Sequence, residues 1–358
     1  MSVRADQNGL DRARSAGRRA AGRARRLVHA GALALGRATQ ESPPAVRRRD
    51  RISHVEALRK NGFTVFRGLF SPSECQRLAA AMKAEAGIQS GQHFTRVDAT
   101  NHYQSTRQVL FDDRVVNAVR ESIGAEGRFL QVSDLHYLHD TAAWHRDSVH
   151  RAPDASRAPD WAELDGNDFG VVKAILYLES DNAAMGIMCG SHRSPLEMDY
   201  NQVQRIEETG GQIVIDAHDD PNVRFSEEDQ RTPLAWRALP GDVLVFDERL
   251  YHAGRRVEDG KVSSDRQAAK FTLSLVFGAD NRHSERMYSY FRYARREMHY
   301  RDLDEPFRAE LAQRGLVLTN GWGNYYEQHP QDLRHAYLKK PETLEPLIAE
   351  FTQAGTRG

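Results

Sequence analysis

The chain has 358 residues, of which 40% are hydrophobic and 28% are charged, and its 50 basic residues balance its 50 acidic residues. This composition is typical of a soluble globular protein. No apolar stretch approaches the roughly 18 residues that a transmembrane helix needs. Two cysteines are too few for a disulfide framework, which favours a cytoplasmic protein.

The charge is unevenly distributed along the chain. Residues 1–50 contain twelve arginines and four acids, so this leader carries a net charge of +8 and the remaining chain carries −8. Its composition is typical of a disordered extension. A tail for anionic surfaces or nucleic acids, an export signal and an amphipathic membrane-surface helix are alternatives.

Strong local signals follow the leader. Residues 52–60 form an amphipathic pattern that predicts a short helix ending at Asn61 and Gly62, and residues 63–70 alternate like a strand. Ser71 then predicts a helix N-cap, with Pro72 in the first turn and Glu74 completing a capping box.

The middle of the chain changes from helical to β-like patterns. A helix is predicted at residues 115–123, and strands follow at residues 129–138, 170–179, 212–216, 243–247 and 271–278. Loops rather than crossover helices separate the strands, which indicates an antiparallel sandwich or barrel. We therefore predict a single domain over residues 51–358, with a β core at about 129–280 and a helical C-terminal extension at 281–358.

Four histidines are followed two residues later by an acid, a spacing that lets both side chains reach one metal ion at the end of a strand. The four pairs are His54 with Glu56, His145 with Asp147, His218 with Asp220, and His283 with Glu285. Only the pair at 145 and 147 closely follows a long predicted strand and still precedes most of the β core, although the pair at 218 and 220 is a serious rival.

A third ligand is suggested by His252. Pro240, Gly241 and Asp242 form a tight-turn pattern before a buried strand, and His252 comes just beyond that strand. A second histidine from a distant strand would complete a two-His-one-carboxylate face, which leaves three adjacent positions on a non-haem iron open. A hydrogen-bonded loop histidine is the alternative interpretation.

Five motifs in one order resemble a known family. The motifs are residues 62–72 followed by a helix, Trp144-His145-Arg146-Asp147, Gly190-Ser191-His192-Arg193, residues 240–254, and a basic residue opening the final strand. Together they resemble the phytanoyl-CoA dioxygenase family of iron(II)- and 2-oxoglutarate-dependent oxygenases over roughly residues 52–280. The resemblance implies a double-stranded β-helix, that is, a cupin-like jelly roll that is mainly β with flanking helices.

The resemblance also implies a set of site residues. His145, Asp147 and His252 would bind the iron, and either Arg266 or Lys270 would pair with the far carboxylate of 2-oxoglutarate. Strand alternation places Arg266, Lys270, Thr272 and Ser274 on one face and Phe271, Leu273 and Leu275 on the other. The remaining expected residues are pocket-facing Tyr137, Lys173 and Tyr177, structural His192, and Trp144 and Trp161 at the mouth.

The family reaction consumes 2-oxoglutarate and O2 and releases succinate and CO2. Related halogenases lack the carboxylate ligand, so Asp147 favours hydroxylation of an unactivated C–H bond, with desaturation as an alternative. The expected substrate is a small metabolite or lipid-like natural product, and no nucleic-acid partner is expected. A catalytically inactive binding protein and a cupin-type metal enzyme without 2-oxoglutarate are the alternative functions.

Two long segments are expected to line the entrance, residues 89–107 and residues 196–236. The second is rich in acids, and such a lid would disfavour a polyanionic substrate if its acids faced the mouth. A solvated acidic lid is the plainer interpretation.

Overall fold

The computed structural model describes residues 50–138, 143–150, 158–162, 168–194, 200–263 and 270–356. All of them fall within one compact unit, Arg48–Gly358. The basic leader, residues 1–49, lies outside the described residues, so its predicted behaviour stays a prediction.

The first described elements confirm the local signals. Helix α1 (His54–Asn61) ends at Gly62, whose φ of 85° is the left-handed conformation that glycine adopts readily. Strand β1 (Phe63–Phe66) is shorter than predicted. Helix α2 (Pro72–Ala86) begins at the complete capping box of Ser71 and Glu74.

Eleven strands of the described chain form two sheets. The larger sheet has the order β1-β8-β4-β11-β3-β2, and the smaller has the order β10-β9-β5-β7-β6. Neighbouring strands are antiparallel except for the parallel pair β6 and β7. The remaining bounds are β2 (Phe94–Val97), β3 (Arg128–Tyr137), β4 (Val171–Ser180), β5 (Ala183–Ile187), β6 (Ile213–Ile215), β7 (Leu234–Arg237), β8 (Val243–Asp247), β9 (His252–Glu258), β10 (Lys261–Ser263) and β11 (Lys270–Gly278).

The two sheets face each other across a buried apolar layer. Phe63 of β1, Ile175 of β4 and Leu244 of β8 on the larger sheet share a core cluster with Met185 of β5 and Trp236 of β7 on the smaller one. This is the sandwich of a jelly roll, as predicted. The space between the sheets is where a side chain from either sheet can reach a shared site.

Helices cover the outer face of the larger sheet. Phe271, Leu273 and Leu275 of β11 pack in a core cluster with α2 and α5 residues such as Met82 and Val119. Thr272 and Ser274 alternate with them and belong to the opposite, inner face. The predicted alternation of β11 is therefore confirmed.

The predicted helical C-terminal extension is present. It packs against Leu130, Val132, Val171 and Val276 of the larger sheet and forms a second core cluster with them. The remaining helices are α3 (Ala99–His102), α4 (Gln104–Leu110), α5 (Asp113–Ile123), α6 (Pro159–Ala162), α7 (Tyr200–Glu208), α8 (Arg282–Ser289), α9 (Glu305–Gln313), α10 (Tyr325–Gln328) and α11 (Leu344–Gly355).

The segment expected to be an acidic lid is partly a piece of the smaller sheet. Strands β6 and β7 lie within it, and their register runs from Leu234, beside Ile187, to Arg237 at the other end. Because Ile187 also pairs with His252, the acidic loop after Ile215 lies at the end of the sheet away from His252. The loop at 216–220 therefore fits the plainer interpretation of a solvated acidic lid, and Asp216 and Asp220 within it are exposed.

Among the described residues, no helix is long and apolar enough to cross a membrane. Both cysteines, Cys75 and Cys189, are buried and unbonded to each other.

Candidate metal centre

Two short backbone hydrogen bonds bring the predicted histidines together. The amide of His145 donates to the carbonyl oxygen of His252, and the amide of His252 donates to the carbonyl oxygen of His145, each at 3.0 Å. This isolated antiparallel bridge places the two imidazole rings with centroids 4.3 Å apart. This pairing places His145, in the segment after β3, beside His252, the first residue of β9.

Asp147 lies between the two rings. Its Oδ1 is 3.6 Å from Nε2 of His145, and its Oδ2 is 3.4 Å from Nε2 of His252. The three candidate ligand atoms lie within 4.8 Å of one another, and within the described ranges no other group of three such residues has this geometry. The amide of Asp147 donates to the carbonyl oxygen of Glu248 at 3.0 Å, which holds the acid at the end of β8.

The tautomers suit metal binding. Nδ1 of His145 lies 2.9 Å from the carbonyl oxygen of Ala143, and Nδ1 of His252 lies 3.0 Å from that of Leu250. A carbonyl oxygen only accepts, so each Nδ1 carries the proton and each Nε2 keeps its lone pair. Imidazoles that bind metals are commonly oriented in this way.

The ionisation states also suit a cation. Burial lowers the pKa of His145 to about 4, with a further contribution from the neighbouring His252. Burial alone would raise the pKa of Asp147, but the Lys173 ammonium holds it well below its usual value. A neutral imidazole and an ionised carboxylate are the forms that bind divalent iron. The donor set therefore fits a two-His-one-carboxylate metal site.

Lys173 enters the same site from β4. Its Nζ lies 2.5 Å from Oδ2 of Asp147 and 3.8 Å from Oε1 of Glu248. Burial alone would lower the pKa of Lys173, but Asp147, Glu248 and Asp134 raise it, so the side chain is a cation. The predicted inward orientation of Lys173 is correct, but its visible partner is the protein's own carboxylate.

Glu248 and Asp134 were not foreseen from the sequence. The Glu248 side chain is 1% exposed, and neither of its carboxylate oxygens has a hydrogen-bond partner among the described residues. Burial raises the pKa of Glu248 to about 8 and the pKa of Asp134 to about 6. A glutamate directly after the apolar run of β8 was the available signal, because such a position is rarely charged without a partner.

The other predicted co-substrate residues differ in their placement. Tyr137 is wrong as a pocket residue, because it pairs with Phe271 on the outer face and lies under Lys83, whose Nζ is 4.5 Å from its ring. Lys270 opens β11 opposite Ser180. Arg266 lies outside the described residues, so the choice between Arg266 and Lys270 stays open.

His192 contributes to packing, as expected. Its Nε2 lies 3.1 Å from the carbonyl oxygen of Arg59, and its ring rests against the backbone of Gly62. Burial lowers its pKa to about 4. This histidine therefore ties α1 to the turn before α7.

The three rival histidine–acid pairs lie apart from this centre. His54 contacts Thr64 at 2.9 Å and stacks on Phe66. His218 lies in the loop that lines a surface groove with Arg67 and Asp242, and His283 lies on α8. Of the four pairs, the one at 145 and 147 is therefore the one that lies beside His252 in the described residues.

Helix α7 is fastened beside the metal centre by a buried ion pair. Arg255 of β9 donates to both carboxylate oxygens of Glu207, at 2.8 and 2.9 Å. Trp144, the residue before His145, donates its indole N–H to the same carboxylate at 3.3 Å. Glu207 is thus an acid of the predicted lid that faces inward and is neutralised.

A second buried cluster holds the segment after Asp147. The Asp160 carboxylate accepts from the Ser148 hydroxyl and lies 3.1 Å from Nδ1 of His150 and 3.3 Å from Nη1 of Arg286 on α8. Burial alone would raise the pKa of Asp160, but His150, His283 and Arg286 hold it well below its usual value. The C-terminal extension thereby contacts the residues that follow Asp147.

A comparison with solved structures finds weak matches to several proteins. HygX from Streptomyces hygroscopicus, crystallised with nickel and 2-oxoglutarate bound, is 16% identical with a TM-score of 0.42, covering 63% of this chain and 86% of that chain. EctD from S. alaskensis, with 2-oxoglutarate and 5-hydroxyectoine, is 16% identical with a TM-score of 0.40, covering 67% and 78%. AviO1 from Streptomyces viridochromogenes Tue57 is 17% identical with a TM-score of 0.37, covering 64% and 95%.

A search of curated proteins finds no matching sequence. The sequence profile of phytanoyl-CoA dioxygenase (PhyH), in contrast, matches residues 58–262. The match contains His145, Asp147 and His252 and covers more than half of the chain. The chain therefore belongs to the phytanoyl-CoA dioxygenase family.

Proposed function

We propose that this protein is an iron(II)- and 2-oxoglutarate-dependent dioxygenase in which His145, Asp147 and His252 bind the iron. The observation that carries the proposal is the convergence of the two Nε2 atoms and the Asp147 carboxylate within 4.8 Å, with both Nδ1 atoms bound to carbonyl oxygens. A binding protein would have no need for this preorganised donor set.

The proposed reaction is hydroxylation of an unactivated C–H bond in a small metabolite or lipid-like natural product. Iron(II) with 2-oxoglutarate and O2 supplies the oxidising power, and succinate and CO2 are released. In this chain the two imidazoles and the Asp147 carboxylate hold the metal, and we assign Arg266 or Lys270 to the far carboxylate of 2-oxoglutarate. The Asp147 ligand supports hydroxylation over halogenation.

The chain's own residues prepare the site before any co-substrate arrives. The carbonyl oxygens of Ala143 and Leu250 fix the imidazole tautomers, and Lys173 keeps Asp147 ionised. A site whose ligands are already oriented avoids the entropy cost of ordering them on binding.

Anaerobic metal titration followed by a turnover assay tests the proposal. We expect one equivalent of Fe(II) or Mn(II) to bind the wild type, and His145→Ala and His252→Ala to lose binding. His218→Ala is the matched control, because His218 belongs to a rival histidine–acid pair away from the centre and should leave binding unchanged. Unaltered binding in His145→Ala and His252→Ala would contradict the ligand assignment.

The turnover assay distinguishes the proposed dioxygenase from a binding protein and from a cupin-type metal enzyme. With Fe(II), O2 and 2-oxoglutarate we expect succinate to form, and a binding protein would form none with any substrate. Turnover that did not depend on 2-oxoglutarate would instead indicate a cupin-type metal enzyme. Metal at one hundred times its Kd should also stabilise the fold by about 2.7 kcal/mol, which a thermal melt with and without chelator measures.

A further inference from the structure

We propose that Lys173 is a positioning residue that restricts Asp147 to binding the metal through a single oxygen. The inference rests on the proposed function, because it concerns the same metal centre. It assigns to Lys173 a role on the protein's own ligand, separate from any contact with a co-substrate.

The contact with Lys173 distinguishes the two oxygens of the Asp147 carboxylate. Nζ of Lys173 takes Oδ2 of Asp147 at 2.5 Å, whereas Oδ1 faces Nε2 of His145 at 3.6 Å. A charge-assisted hydrogen bond is among the strongest that a carboxylate makes. Oδ2, which also lies 3.4 Å from Nε2 of His252, thus carries the bond to Lys173, and Oδ1 is the oxygen that is free of it.

The ammonium group has little freedom to move away. Lys173 lies on β4 and pairs with Phe246 of β8 on one side and Val276 of β11 on the other, so its backbone is fixed in the middle of the larger sheet. Its side chain is 14% exposed, and Glu248 attracts it from a second direction at 3.8 Å. This contact gives Glu248 a role in holding Lys173, although its carboxylate oxygens have no hydrogen-bond partner among the described residues.

Binding of Asp147 through one oxygen determines how many coordination positions on the metal stay open. A free carboxylate can bind a metal through one oxygen or through both. A two-His-one-carboxylate face is useful for oxygen chemistry because the other positions stay open. Binding through the second oxygen would weaken the charge-assisted bond between Oδ2 and Lys173, so Lys173 favours leaving that position open for the co-substrate or O2.

Water counting on the Mn(II)-loaded protein, without 2-oxoglutarate, tests this role. Proton relaxation or electron spin-echo measurements in 17O-labelled water give the number of waters on the metal. We expect Lys173→Met to bind one water fewer than the wild type, because the second Asp147 oxygen takes its place. Lys173→Arg should restore the wild-type number, since a guanidinium also donates to Oδ2. An unchanged number in Lys173→Met would overturn the proposal.

Two further variants make the test robust. Lys83→Met is the matched control, because Lys83 pairs with Glu179 on the outer face at 2.7 Å and should leave the water count unchanged. Lys173→Met with Glu248→Gln also removes the neighbouring buried carboxyl, so no ionisable acid stays beside the missing ammonium if Lys173→Met alone does not fold. We expect the double variant to lose the same water, and a wild-type count in it would also overturn the proposal.

The outcomes separate this inference from the proposed function. Failure of the wild type to bind Mn(II), or binding that survives His145→Ala and His252→Ala, contradicts the metal centre itself. Normal wild-type binding with an unchanged water count in Lys173→Met contradicts only the role of Lys173. Because 2-oxoglutarate is absent, a lysine that acted solely on the co-substrate would give that unchanged count.

Discussion

The backbone of Gly62 lies directly against the imidazole of His192. A Cβ at position 62 would be 2.5 Å from Nδ1 of His192 and 2.6 Å from Cδ1 of Leu250. Any side chain at position 62 would therefore overlap with these atoms. Leu250 is also the residue whose carbonyl oxygen orients His252.

Gly62→Ala should destabilise the fold through two separate effects. The left-handed backbone costs an alanine about 1 kcal/mol, and the overlap with His192 and Leu250 costs about a further 1–3 kcal/mol. Gly87→Ala is the control, because Gly87 has a φ of 66° but no atom within 4 Å of its Cβ position. Urea unfolding should show the larger loss for Gly62→Ala, and equal losses would refute the packing contribution.

Asp160→Asn should lower the free energy of unfolding by about 3–5 kcal/mol, because it removes the buried negative charge beside the Arg286 guanidinium. The low folded pKa of Asp160 also sets the direction of the pH dependence. Its contribution is complete above the unfolded pKa of about 4 and is lost as the pH falls toward the lower folded pKa. Chemical denaturation across this range measures both effects.

Glu345→Gln is the control for that prediction. Its partner Arg334 is 48% exposed and Glu345 is 67% exposed, so solvent screens the pair. We expect a change within about 0.5 kcal/mol. A comparable loss in both variants would show that burial of the Asp160 cluster is unimportant.

Arg255→Met should release helix α7 from the metal-bearing strands. The side chains of Arg255 and Glu207 are 4% and 14% exposed, so the substitution leaves a buried carboxylate without its cation. We expect hydrogen–deuterium exchange in α7 to rise strongly. The neighbouring Arg256→Met provides the control, since the partner Glu258 is 59% exposed, and similar exchange in the two variants would argue against the anchor.

Ser71→Ala should weaken the start of α2 by about 1 kcal/mol. It should also raise the pKa of Glu74, which hydrogen bonds from the backbone and hydroxyl of Ser71 lower to about 2. An NMR titration of Glu74 measures the change. Ser73→Ala keeps both of those hydrogen bonds, so a shift of the same size there would exclude the capping explanation.

The parts of the fold that depend on local chemistry could be predicted from the sequence. Capping at Ser71, the left-handed stop at Gly62 and the alternation of Phe271 with Thr272 all follow from neighbouring residues. Short strands such as β5 were missed, because Ala183–Ile187 contains small residues without a clear alternation. Its strand conformation comes from pairing with β7 and β9 rather than from its own propensity.

The candidate site was predictable where side chains follow strand ends and unpredictable where distant strands meet. The strand ends favoured His145 and Asp147, and the family resemblance added His252 to them as an expected iron ligand. The contact of Lys173 with Asp147 depends on the registers of β4, β8 and β11, which the sequence does not reveal. Tyr137 was misassigned because its face is set by pairing with Phe271, so its own alternation could not decide the direction.

The C-terminal extension contributes a buried charge, Arg286, in addition to its apolar packing. This guanidinium belongs to α8, outside the stretch 58–262 that matches the family, yet it supports Asp160 and through it the segment following a metal ligand. The region of Asp160 and the extension therefore depend on each other for the balance of their buried charges. In chimeras between family members, we expect these two regions to remain functional only when they are exchanged together.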